Sequence, residues 1–129
     1  MRREVILPAD ESALSLARSS LDGAIPPPTL DSRSDDPRLA LTELITNALR
    51  HGGLRPDRDT MRLVIESDEE AVRVEVEQPT TAADVRVVER PVDGSRRVGG
   101  YGMRIVEHTA DNWGSEPGPP GRVWFEFLR

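Results

Sequence analysis

The strict alternation of Ala71-Val72-Arg73-Val74-Glu75-Val76-Glu77 sets the narrowest limits on what this chain can become. Side chains of an extended strand leave alternately on its two faces, so Val72, Val74 and Val76 share one face and Arg73, Glu75 and Glu77 the other. One wet and one buried face is the pattern of an antiparallel sheet covered by helices on a single side. Met61-Arg62-Leu63-Val64-Ile65-Glu66 reads as the partner strand, with Ser67-Asp68-Glu69-Glu70 as the hairpin turn between them. Glu4 to Leu7, ended by Pro8, and Arg122 to Leu128 read as further strands.

Helical periodicity supplies the covering layer. Asp10 precedes a helix expected from about Glu11 to Leu21, on which Leu14, Ala17, Arg18 and Leu21 share one side, with Asp22-Gly23 as its stop. After the stiff connector Ile25-Pro26-Pro27-Pro28, Asp36-Pro37 reads as an N-cap followed by a proline with no amide to leave unpaired. The helix it starts is expected to end at Gly52-Gly53. Leu41, Leu44, Ile45 and Ala48 form its apolar stripe, while Glu43, Asn47 and Arg50 fall within about 60° of arc and His51 just beyond. A solvated face accounts for Glu and Arg, and His51 has an ordinary role as a donor to the last carbonyls. Asn is harder to place, because a mid-helix Asn costs roughly 0.6 kcal/mol relative to Ala. A carboxylate and a carboxamide one turn apart therefore mark a candidate site, to be weighed with the rest of the chain.

Composition narrows the function classes. The chain has 129 residues, a length suited to one domain with one core, so residues 1–129 are read as a single domain. A net charge of −6 argues against nucleic acid as a direct partner, because phosphate binding needs clustered cations. There is no cysteine, which excludes disulfides and thiolate metal sites. With no signal-like h-region behind Met1-Arg2-Arg3 and no apolar run of about 18 residues, a cytoplasmic protein without membrane attachment is expected.

From Gln78 to Val98 the periodicity fails, and Arg86, Arg90, Arg96 and Arg97 stud the stretch. A loop of that length is either a disordered surface segment or a cationic lid. It closes in Val98-Gly99-Gly100-Tyr101-Gly102-Met103, a glycine-rich turn entering a helix whose Met103, Val106 and Ala110 can face the core. Amides bared by glycines at such a turn are suited to anions, although the spacing is not that of a dinucleotide fingerprint. Asn112-Trp113-Gly114 is expected to turn the chain, and Pro117 to Gly121 to be loop.

Three pieces thus stand in one order: Glu43-Leu44 with Asn47-Ala48 and His51 on a helix, a strand ending at Gln78-Pro79, and a loop closing in Gly100-Tyr101-Gly102-Met103. That order resembles the Bergerat-fold ATPases of the gyrase, histidine kinase and heat-shock chaperone group (GHKL). It is most similar to their small branch of anti-sigma-factor serine/threonine kinases, over nearly the whole chain. The resemblance implies an α/β two-layer sandwich of the α+β kind, with a mixed, mainly antiparallel sheet and helices on one face. It implies ATP and Mg2+ as cofactors, Glu43 as the catalytic general base, and Asn47 as the metal ligand. The remaining nucleotide contacts it implies are Arg50, His51, Gln78, Gly100, Tyr101, Gly102 and Met103, besides Asn47 itself. Its implied partners are a sigma factor and an anti-sigma-factor antagonist, with a family habit of homodimerisation. One motif departs from the family. The adenine-reading DxGxG is here Gln78-Pro79-Thr80-Thr81-Ala82, without the Asp and without either glycine. A Gln carboxamide offers both an acceptor for the adenine amino group and a donor for the ring nitrogen. The alternative to a kinase is a nucleotide-impaired module on the same scaffold that regulates transcription by partner sequestration alone.

Overall fold

A computed structural model describes residues 1–25, 35–82 and 103–129. In chain order its elements are β1 (Arg2–Pro8), α1 (Ser12–Ala24), α2 (Asp36–His51), β2 (Thr60–Ser67), β3 (Ala71–Gln78), α3 (Arg104–Thr109), β4 (Asn112–Glu116) and β5 (Gly121–Leu128). The strands form one five-stranded sheet in the order β1-β2-β3-β5-β4. All four described pairings are antiparallel. The helices cover one face, giving the two-layer α+β sandwich.

The alternation of β3 works as expected. Val72, Val74 and Val76 are buried, and opposite them in register Phe127, Phe125 and Val123 of β5 continue the same face. Phe125 and Phe127 meet edge to face at 5.6 Å between ring centroids, an arrangement that adds to their burial. On the helical layer Leu41, Leu44, Ile45 and Ala48 of α2 join Val106 of α3 in the core. Each such aliphatic or aromatic side chain contributes about 1.5–3 kcal/mol when fully buried, so the stripe of α2 fixes its rotation over the sheet. The outer face carries ion pairs instead. Arg122 bonds Glu77 at 2.8 Å and Glu116 at 3.1 Å, and the Arg73 guanidinium lies 4.2 Å from the Trp124 ring centroid.

Several local expectations are corrected. The Asp22-Gly23 stop does not hold, because α1 continues to Ala24 and Gly23 lies against the Arg3 guanidinium, which donates to the Ser20 carbonyl at 3.0 Å. Asp10 does bond the start of α1, its Oδ1 accepting from the Ser12 amide at 2.9 Å. In α2, Asp36 is already helical and no side chain caps the first turn. The C-terminal end behaves as read, with Gly53 at φ +64°, the left-handed region that glycine enters without a Cβ penalty. Asn112-Trp113-Gly114 is no turn but part of edge strand β4, paired with β5. Gly114 is there because Trp124 stands opposite it: a Cβ on Gly114 would lie 2.8 Å from the indole ring. The proline connector of residues 26–28 and the lid arginines lie outside the described residues.

Gly114→Val should therefore lower stability by about 1–3 kcal/mol, the cost of overpacking, read as a fall in the urea midpoint at unchanged m-value. The hairpin also predicts a pH effect. Asp68 Oδ1 accepts from the amides of Ala71 at 2.9 Å and Glu70 at 2.8 Å, and these bonds hold its pKa below the ordinary 3.8. A carboxyl depressed by folding stabilises the fold above its unfolded pKa, and the contribution disappears as pH falls through the lower folded value. Amide exchange at Glu70 and Ala71 should accelerate over that acidic window in the wild type, and be insensitive to it in Asp68→Asn.

Candidate functional site

The site is built where α2 crosses the carboxyl end of β3. Because Leu44, Ile45 and Ala48 are buried against the sheet, the flank of α2 that carries Glu43 and Asn47 is turned toward the chain entering α3. Leu44, Asn47 and Ala48 of α2, Val76 and Gln78 of β3, Val123 of β5, and Met103 together line a small cavity. Its walls are mostly apolar, with a carboxamide at Asn47 and another at Gln78. The enclosed space is about 10 Å3, room for no more than one water molecule.

Each polar member already has an assignment. Glu43 spans the gap between the helices: Oε1 accepts from the Val106 amide at 3.0 Å and Oε2 from the Ile105 amide at 3.2 Å. Those amides have no partner within α3, so Glu43 acts as a carboxylate cap supplied from a different helix. Asn47 Nδ2 donates to Met103 Sδ at 3.4 Å. Met103 itself is fully buried, filling the space beside Asn47. A larger cleft of about 430 Å3 between α1 and α2 is lined by Arg18, Asp35, Arg38, Leu39 and Thr42 and holds none of the motif residues. Its cations are engaged, Arg18 with Thr42 at 3.2 Å and Arg38 with Asp22 at 3.1 Å.

Gln78 is the one buried polar side chain among the described residues, 3% exposed. The strand explains its placement: Val72, Val74, Val76 and position 78 share the inward register, so a polar residue at 78 has to enter the core. Such a group is costly to bury without partners. Its Nε2 donates to Thr80 Oγ1 and to the Thr81 carbonyl, both at 2.9 Å. Thr80 Oγ1 in turn donates to the Gly52 carbonyl at 2.5 Å, tying the end of β3 to the end of α2. Gly52 leaves room for this: a Cβ there would lie 3.2 Å from Gln78 Nε2.

Of the residues singled out in the sequence, Asn47, Gln78 and Met103 thus line one cavity, while Glu43, one turn before Asn47, bonds the start of α3. Arg50 and His51 stand exposed in the last turn of α2 and do not line it. Gly100, Tyr101 and Gly102 lie outside the described residues. The partners Thr80 and Thr81 carried no role in the sequence reading. The signal that could have found them is the inward register of Gln78, which demands nearby donors or acceptors.

Glu43, Asn47 and Gln78 lie near one end of the central strand of an α+β sandwich, as the sequence resemblance implies. The family comparison agrees: the sequence model of the histidine kinase-like ATPase domain matches residues 7–123. The chain belongs to that family, and is an ATP-binding regulatory domain of the histidine kinase-like ATPase class. No curated protein matches the chain at a significant level. Among the described residues, no helix is long and apolar enough to cross a membrane.

The contact between Glu43 and α3 makes a direct prediction. Glu43→Ala should expose the Ile105 and Val106 amides to exchange and cost about 1–2 kcal/mol, the usual worth of a charged cap. Hydrogen exchange at those two amides and the urea midpoint check it, with Arg50→Ala as the control that leaves both unchanged.

Proposed function

We propose that the chain is an ATP-dependent serine/threonine protein kinase of the anti-sigma-factor branch. In this reading it transfers the γ-phosphate to an antagonist protein and is thereby free to hold a sigma factor. The observation that supports this best is that Asn47 and Gln78 line one cavity, with Glu43 one helical turn before Asn47, in a chain of the histidine kinase-like ATPase family. A cytoplasmic location and a homodimeric habit belong to the same reading.

The residues fit the parts that phosphoryl transfer requires. The carboxamide oxygen of Asn47 is the hard ligand a magnesium ion takes, and the ion, when bound, neutralises charge on the phosphates. Glu43 is the base. As a serine or threonine oxygen of the partner bonds the γ-phosphorus, the bond from that phosphorus to the bridging oxygen breaks and its electron pair stays with ADP. The hydroxyl proton passes to Glu43. Each Glu43 oxygen accepts one α3 amide and keeps a second lone pair with which the proton can be taken. Arginines of the segment that follows Ala82 are available by sequence to meet developing negative charge.

A second reading also has an observation in its favour. Both Glu43 oxygens are engaged by backbone amides, and Gln78 stands where the family has an aspartate, which suits a sequestration module without nucleotide turnover. Glu43→Gln separates the two, because it keeps an acceptor for α3 but removes the base. Under the kinase reading the wild type phosphorylates a serine- or threonine-bearing antagonist in the presence of ATP and magnesium. Glu43→Gln then slows transfer by about 10²–10⁴-fold and changes ADP affinity by less than about threefold. No transfer by the wild type, with sigma-factor capture unchanged by nucleotide or by Glu43→Gln, overturns the kinase in favour of sequestration.

A further inference from the structure

Single apolar side chains scattered over a surface are ordinary, but two that are exposed among the described residues share a neighbour. Leu39, 49% exposed, stands one turn before Glu43 on the outward ridge of α2. Ile105, 38% exposed, is the residue of α3 whose amide donates to Glu43 Oε2 at 3.2 Å. The carboxylate thus has one exposed aliphatic residue beside it on its own helix and another across the gap. Leu39 also walls the cleft of about 430 Å3 next to α1, so the apolar surface continues from the ridge into a concavity. The charges around it are uneven. Arg104 precedes Ile105, and Arg50 follows Glu43 by two turns on the same ridge; both are exposed and in no ion pair among the described residues. Asp35 and Asp36 stand at the opposite end, where α2 begins. In a chain of net charge −6, unpaired guanidiniums at one end of a ridge attract a partner's carboxylates and set its direction.

We propose that this ridge is the docking surface for the partner's phosphoacceptor segment. That segment carries an aliphatic residue two positions from its serine or threonine, and acidic residues on the side that meets Arg104 and Arg50. The inference rests on the kinase reading given above and deepens it by naming the substrate class. A hydroxyl that gives its proton to Glu43 comes within about 3 Å of the carboxylate, which fixes where the rest of the segment runs. In an extended chain, residues two apart leave on the same face, about 7 Å from each other. One turn of α2, from Glu43 back to Leu39, spans about 6 Å. A side chain two positions from the hydroxyl therefore falls over Leu39, and one on the other side of the hydroxyl reaches toward Ile105. Leu39 and Ile105 select the segment in this account without touching the reacting atoms.

The probe is a synthetic peptide with one serine, a leucine two positions before and after it, and glutamates elsewhere. One counterpart has alanines for the leucines, another lysines for the glutamates. Binding to the full chain is measured by calorimetry and mapped by ¹⁵N NMR, and transfer to the peptide is followed in ATP and magnesium. The first peptide should bind at least about tenfold tighter than either counterpart and shift the amide signals of Leu39, Glu43 and Ile105. Leu39→Ser and Ile105→Ser should each weaken it by about 5–30-fold, the worth of one buried aliphatic contact, and raise the KM of transfer at unchanged kcat. Arg104→Glu should weaken it by more than about fivefold. Leu16→Ser, which removes a side chain 46% exposed on α1, should change it by less than about twofold. All four variants should keep the wild-type ADP affinity and urea midpoint. Binding by Leu39→Ser and Ile105→Ser that matches Leu16→Ser, shifts confined to other elements, or no binding of any peptide overturns the docking surface. If an antagonist protein is still phosphorylated in those cases, the kinase reading stands. Docking as expected, with no transfer from ATP to peptide or antagonist, overturns the kinase reading and the phosphoacceptor role together.

Discussion

Everything around the cavity depends on how α2 is seated on the sheet. Leu41 and Ile45 are fully buried and Leu44 and Ala48 nearly so, and this stripe leaves the helix one rotation about its own axis. Turning it by one residue, about 100°, would bring Thr42 and Thr46 into the core in one direction, or Glu43 and Asn47 in the other, at a cost of several kcal/mol. The rotation that buries the stripe is the one that places Glu43 and Asn47 at the edge of β3 and α3. Hydrophobic packing, which has no directional chemistry of its own, thereby aims two polar groups with the precision a binding site needs.

The polar groups in turn connect what packing alone leaves separate. Glu43 joins α2 to the first turn of α3 through two backbone amides. Thr80 joins the end of β3 to the end of α2 through the Gly52 carbonyl. Helix α3 is only six residues long, too short to be stable without tertiary contacts, so Val106 in the core and Glu43 at its start hold it. A change at Glu43 is consequently felt as a lost acceptor for the helix, and under the proposed transfer also as a lost base. Variants that preserve the acceptor are needed to read the chemistry.

The same economy governs the cavity. The cavity has space for about one water molecule because Met103 fills it and bonds Asn47 through sulfur. Methionine is a fitting plug: its flexible, polarisable side chain fills irregular space and leaves it at modest cost. Met103 directly precedes the helix that Glu43 holds, so the plug and the start of α3 share one short stretch of chain.

Much of this was legible before any coordinates. The alternation of β3, the apolar stripe of α2 and the glycines after it set the sandwich, because each is a local pattern with one favourable burial. The positions of Glu43 and Asn47 one turn apart followed from the helix period alone. Other features needed the tertiary structure. Gly114 looked like a turn residue and is a strand residue, because the Trp124 ring opposite it is ten positions away in sequence. Gly23 looked like a helix stop and sits within the helix, beside an arginine from β1. Gln78 was visible as a departure from a motif, but how its carboxamide is held was not. That depends on Thr80, Thr81 and Gly52 meeting at the junction of β3 and α2, and hydrogen bonds between separate elements leave no period in the sequence from which they could be read.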